Sequence, residues 1–224
     1  MQESVTLRQE LGLPAAAPIV LHVGRFTWEK NHLGLLAIFQ EVLKSVPQAR
    51  MLLVGAGPLQ SKVKNAIIEC GLENNAILLG MRNDVPRLMR CCQVLLHPSF
   101  FEGLPVTVLE AMSAGLPVVA SDIPGIRAEV IESGHSGFLH SVNEPLAMAQ
   151  SISQLLLNPA LAAKIGQTGR TIVENHFSLA ATANRYITLY ENCMLQKPDI
   201  IPTSMPTRHS SRTIDAGRQS LKSF

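Results

Sequence analysis

From about residue 18 onward the chain alternates short, mostly apolar runs with longer stretches in which apolar residues recur every three or four positions. The runs Pro18–Val23, Arg50–Val54, Ala76–Leu79, Val94–His97 and Pro117–Ser121 are rich in Val, Ile and Leu. Runs this short and this aliphatic predict strands buried on both faces. Between them, Leu33–Val46 sets Leu36, Phe39, Leu43 and Val46 on one helical face, and Leu59–Cys70, Pro86–Cys92 and Val106–Ala114 read as further helices. Strand–helix alternation at this spacing requires right-handed crossovers, so the predicted class is α/β, a doubly wound parallel sheet. Past Gly137–His140 the pattern turns helical, over Glu144–Leu157, Pro159–Asn175 and Leu179–Met194, which predicts extra C-terminal helices. The organisation expected is a short N-terminal helix and turn (1–16), one domain (17–195) and a tail (196–224). The tail holds prolines, Ser, Thr and Arg without apolar period, and reads as disordered or as an end unrelated to the fold.

Composition narrows the partners. The 224 residues are 46% hydrophobic, 16% charged and 4% aromatic, as expected for one globular domain with an aliphatic core. The formal charge is +2, but five Lys/Arg against two Asp in 197–224 make that stretch +3, which leaves −1 for the rest. The body thus lacks the basic field needed to hold nucleic acid, and phosphate binding must come from a few placed residues. Cys70, Cys91, Cys92 and Cys193 show no ligand spacing and read as reduced thiols, which points to the cytoplasm. Met1–Glu10 is polar, and no apolar run reaches the ~18 residues of a membrane span. Peripheral contact with the inner face of a membrane stays open.

Ligands of doubly wound sheets bind at the carboxyl ends of the strands. Four turns follow strands there. Gly24 lets the chain leave the first strand tightly, and Arg25 and Lys30 then offer a fork and a point charge suited to a diphosphate. Val54-Gly55-Ala56-Gly57-Pro58 misses the dinucleotide fingerprint, because its third glycine position is Gln60. Gly55 suits a tight turn, and Gly57 would let backbone approach a ligand. In Gly80-Met81-Arg82-Asn83-Asp84, Asp84 is expected to cap the next helix, and Met81 and Arg82 could face a nucleobase. The fourth turn runs from His97 through Glu102 into a helix starting at Leu104-Pro105, whose amides at Gly103, Leu104, Val106 and Thr107 form an anion site. Glu102 precedes that helix and Glu110 lies in it; carboxylates beside an anion site suit sugar or ribose hydroxyls. Taken singly, each turn also fits an ordinary surface loop. His22 and His97, at strand ends, read as buried and satisfied histidines.

Together these motifs resemble the GT-B retaining glycosyltransferases of family 4, the glycosyl transferases group 1 domain. The resemblance rests on Glu102 and Glu110 separated by seven residues, on Gly24-Arg25 with Lys30-Asn31, on Val54–Pro58 and on Gly115–Ala120, and covers about Ala17–Met194. It implies the Rossmann-like C-terminal, donor-binding half of the GT-B fold and a nucleotide sugar such as a UDP- or GDP-sugar as co-substrate. By resemblance, Arg25 and Lys30 would stabilise the diphosphate leaving group, with Glu102 as the third catalytic residue, facing the donor sugar. Glu110 would bind ribose, the amides after Gly103 would bind phosphate, and Met81 and Arg82 would flank the base. No metal and no other cofactor is expected, and the anomeric configuration would be retained. The family's acceptor-binding half would precede Pro18, where only some 17 residues stand, so an N-terminal-half polypeptide is an expected partner. Three alternatives remain: a non-catalytic nucleotide-sugar-binding module or partner subunit, a nucleotide-sugar epimerase, and, against the broken glycine fingerprint, a nicotinamide dehydrogenase.

Overall fold

The computed structural model describes residues 2–127 and 130–195. The tail expected over 196–224 lies outside them. Six strands, β1 (Ile19–Val23), β2 (Arg50–Val54), β3 (Ala76–Gly80), β4 (Val94–His97), β5 (Val118–Ser121) and β6 (Phe138–His140), form one sheet in the order β3-β2-β1-β4-β5-β6. All five pairings are parallel. The helices are α1 (Gln2–Glu10), α2 (His32–Ser45), α3 (Gln60–Glu69), α4 (Val85–Cys91), α5 (Val106–Ser113), α6 (Pro124–Arg127), α7 (Pro145–Leu157), α8 (Pro159–His176) and α9 (Leu179–Leu195).

Strand alternation divides the core into two layers. Val20, Met51, Leu53, Leu96 and Val119 point to the face covered by α2, α3 and α7, where Leu36, Phe39, Val63 and Ile152 meet them. Ile19, Leu21, Leu52, Leu95 and Val118 point to the other face, against Leu7 of α1, Leu88 of α4, Val108 and Met112 of α5 and Val173 of α8. Each fully buried aliphatic or aromatic side chain contributes roughly 1.5–3 kcal/mol. The α/β class and the five expected strands are present, with ends within one residue of the sequence reading. Three elements were not expected: β6, α6 and a 3₁₀ turn over Trp28–Lys30. β6 has three residues, too few to show alternation, and exists because β5 offers it a ladder that pairs Val119 with Phe138 and Ser121 with His140.

The chain divides into compact units at 1–184 and 185–224, and α9 contains the junction. In the second unit, of which 185–195 are described, Tyr186 and Tyr190 bring their rings to 6.2 Å. No helix among the described residues is long and apolar enough to cross a membrane.

Candidate functional site

The sheet order reverses direction between β1 and β4, and the connections leaving these neighbours run to opposite sides of the sheet. A crevice opens at such a switch point. The β1–α2 and β4–α5 loops are its two walls.

Backbone packing fixes the first wall. The amide of Gly24 donates to Val54 O (3.0 Å), and that of Phe26 to Ala56 O (3.0 Å). A Cβ on Gly55, at φ +133°, would stand 2.0 Å from Gly24 O, so only glycine fits the seam. Gly57 is equally tight, its would-be Cβ 2.5 Å from Phe26 O. That internal contact is by itself enough to require glycine there. The 3₁₀ turn then ends on Asn31, the one non-glycine residue at positive φ (53°) among those described. Its side chain accepts from Gly34 N to cap α2 and donates to Pro98 O (3.1 Å), across the crevice. Phe100 N donates to Glu29 O (2.8 Å), and the rings of Trp28 and Phe100 stack at 5.9 Å. The two walls are thus strapped together on either side of Lys30.

Between the straps Lys30 meets Glu102. Lys30 Nζ lies 2.5 Å from Glu102 Oε1, with the two side chains 19% and 11% exposed. The same oxygen takes His97 Nε2 at 2.7 Å, and Ser99 Oγ stands 3.1 Å from that nitrogen. Burial works against ionisation of Glu102, but hydrogen bonds from His97 and Lys30 outweigh it and hold the carboxyl down to about 2. Burial also presses His22 well below the usual histidine range, and His32 down to about 4. Arg25 is exposed and has no ion pair among the described residues.

Beside Arg25 lies a pocket of about 400 Å³, lined by Val23, Gly24, Arg25, Val54, Gly55, Ala56, Met81, Arg82 and Val85. Its wall is largely apolar, and Met81 is 79% exposed at its rim. The structure therefore brings Gly24, Arg25, Met81 and Arg82 together in one pocket, with Lys30 and Glu102 paired at the adjoining crevice. Glu110 stands apart. It is exposed on α5 and lines a separate groove of about 570 Å³ with Pro86, Met89, Arg90, Arg170 and Phe177.

Three local expectations are corrected. Asp84 occupies the N-cap position of α4 but makes no capping bond. Its carboxylate is held by a two-pronged pair with Arg82 (2.8 and 2.7 Å), because a guanidinium fork satisfies both oxygens where an amide satisfies one. α5 starts at Val106, as the Val106–Ala114 reading has it, so Leu104-Pro105 precedes the helix, with Pro105 at the cap. Val106 N is turned onto Leu104 O (3.0 Å), so it is not an open amide; those of Gly103, Leu104 and Thr107 have no acceptor among the described residues. Gly103 is held from behind by Gly125, whose would-be Cβ lies 2.1 Å from Gly103 O. Finally, the strand-end histidines are only half satisfied. His22 Nδ1 donates to Leu96 O (2.9 Å) and His97 Nε2 engages Glu102, but His22 Nε2 and His97 Nδ1 are buried without partners among the described residues. The sequence reading did not foresee that His97 bonds Glu102; its position five residues before Glu102, at a strand end, was the available signal.

Among the described residues no cluster of three His, Cys, Asp or Glu could hold a metal ion. The four cysteines are free thiols.

The profile of the family described as "Glycosyl transferases group 1" matches residues 4–172. The chain belongs to that family. Among group 1 relatives, N-acetyl-alpha-D-glucosaminyl L-malate synthase of Bacillus anthracis is 27% identical over 189 residues, 84% of this chain and 49% of that protein. HepE of Anabaena, solved in complex with UDP and glucose, superposes with a TM-score of 0.75 at 29% identity over 86% of this chain and 52% of that one. The C-terminal domain of a group 1 glycosyl transferase of Francisella tularensis, LpcC, shares the fold: TM-score 0.69, 21% identity, 78% of this chain and 92% of that one. This group 1 chain spans about half the length of the curated relatives it matches, and its sheet is that of the C-terminal half of a GT-B enzyme.

Proposed function

We propose that this chain is the donor-binding half of a retaining glycosyltransferase of family 4, taking a nucleotide diphosphate sugar and acting from the cytoplasm. The observation that carries the reading is the meeting of Lys30 and Glu102 at the sheet's switch point, beside a pocket that presents Arg25, which has no ion pair among the described residues. A nucleoside would lie in the 400 Å³ pocket against Met81 and Arg82, with its diphosphate toward Arg25, Lys30 and the amides of Gly103, Leu104 and Thr107. Cleavage of the sugar–phosphate bond leaves negative charge on the diphosphate, which Arg25 and Lys30 stabilise in place without a metal ion. Glu102, kept anionic, accepts hydrogen bonds from donor-sugar hydroxyls. Glu110 would need the nucleotide to reach over the start of α5 to meet ribose. That HepE was solved with UDP and with UDP-glucose supports the donor class. The acceptor would be presented by an N-terminal half, in the same or another polypeptide.

The test is a thermal-shift panel of UDP, GDP, ADP and TDP, each alone and as its glucose or mannose derivative. A ligand that binds only the folded chain raises stability by RT ln(1 + [L]/Kd), about 2.7 kcal/mol at a hundredfold excess over Kd. Stabilisation by one nucleoside diphosphate and its sugar is expected. No response to any nucleotide, with stabilisation by NAD instead, would overturn the reading.

A further inference from the structure

Resting on that reading, we propose that His97 is a positioning residue: it holds the Glu102 carboxylate in place for the donor sugar when Lys30 turns to the diphosphate.

Both Lys30 Nζ and His97 Nε2 sit on the same oxygen, Glu102 Oε1. They are not equivalent tethers. Lys30 is a point charge on a flexible four-carbon stem, and its ammonium stands between the two walls of the crevice. A diphosphate arriving there competes directly with Glu102 for it. His97 cannot follow. Its backbone closes β4 in register with Ala120, its ring is 1% exposed, and it stacks on the His22 ring at 6.1 Å. Glu102, by contrast, belongs to an irregular loop and has no regular backbone ladder to fix it. A carboxylate on a loop is therefore oriented by a ring set in the sheet, the arrangement that keeps a site group within a fraction of an ångström.

The unpartnered Nδ1 adds a second observation. With Nε2 against a carboxylate and Nδ1 buried among groups that offer no acceptor, the hydrogen belongs on Nε2. His97 is thereby a one-directional donor, aimed at Glu102. Its one other polar contact among the described residues is the buried Ser99 Oγ, 3.1 Å from the same nitrogen.

The experiment compares wild type with His97→Leu and His97→Gln in the full chain, by calorimetry with the nucleoside diphosphate and the nucleotide sugar chosen by the panel above. Leu keeps the volume without the donor; Gln restores an N–H. For His97→Leu, nucleotide-sugar affinity should fall roughly tenfold, the scale of a lost charge-assisted hydrogen bond, with the free diphosphate bound as in wild type. His97→Gln should recover most of the loss. Equal weakening toward both ligands, no weakening, or failure of Gln to restore what Leu removes would overturn the positioning role while leaving the donor site intact. Absence of nucleotide binding by wild type would overturn the donor reading, and this role with it. Melting curves of both variants identify a fold defect, and in that case the ratio of sugar to diphosphate affinity in His97→Gln decides.

Discussion

Acid should remove a specific part of this protein's stability through Glu102. In the folded chain its carboxyl is held at about 2, against an ordinary value of 4.5. A depressed carboxyl stabilises the fold fully above its unfolded value, and that stabilisation is lost as pH falls through the folded one. The interval corresponds to roughly 3 kcal/mol, at about 1.4 kcal/mol per tenfold in proton affinity. With the side chain only 11% exposed, solvent and salt screen little of it. Glu102→Gln removes the titration and leaves Lys30 without its anion. Urea unfolding of both proteins at pH 6, 4.5, 3 and 2 reads the difference. Wild type should exceed the variant by roughly 3 kcal/mol at pH 6, and the gap should close between pH 4.5 and 2. Other carboxylates titrate in both proteins and cancel. A gap that stays constant across this range, or a variant as stable as wild type at pH 6, would show that His97 and Lys30 do not hold the carboxylate as described.

Gly55→Ala forces a Cβ to within 2.0 Å of Gly24 O at φ +133° and should cost about 2–4 kcal/mol in denaturant unfolding; an unchanged midpoint would contradict the seam. Arg25→Ala should leave stability alone, since no ion pair is broken, yet weaken nucleoside-diphosphate binding about ten- to hundredfold by calorimetry. Equal affinity for variant and wild type would count against Arg25 as a phosphate ligand. Glu110→Gln should weaken ribose-bearing ligands and spare pyrophosphate. Losses shared by both would place Glu110 outside the ribose subsite, consistent with its groove on the α4–α5 side.

Much of the fold was legible because burial on two faces leaves an unmistakable aliphatic run, as in Met51–Val54 or Val94–Leu96, and because α2 shows its apolar stripe openly. What escaped was structure that depends on neighbours. β6 is three residues completed by a partner strand, and the amide of Val106 is closed off by the carbonyl of Leu104. Of the site, Arg25, Lys30 and Glu102 were legible as charged residues in strand-end turns. That Lys30 and Glu102, 72 residues apart, form an ion pair was not, since pairing across a switch point has no local signature. Asp84 went astray for the opposite reason: a local rule favoured capping, while a guanidinium two residues away offered a better partner. His97 was discounted because most strand-end histidines are core, and burial alone does not reveal which side chain its nitrogen faces.

The glycine seam between the first two turns has a consequence for redesign. Where main chain rests on main chain, as at Gly24 with Gly55 and Phe26 with Gly57, no side chain can be exchanged to retune the pocket. Its floor is therefore invariant to mutagenesis short of unfolding it. Besides Arg25, the side chains around the same cavity that lie outside the first two turns and their strands are Met81 and Arg82 of the β3–α4 connection and Val85 at the start of α4. A library meant to change which nucleotide enters starts from those three positions, with Arg82 varied together with Asp84, which now occupies its guanidinium.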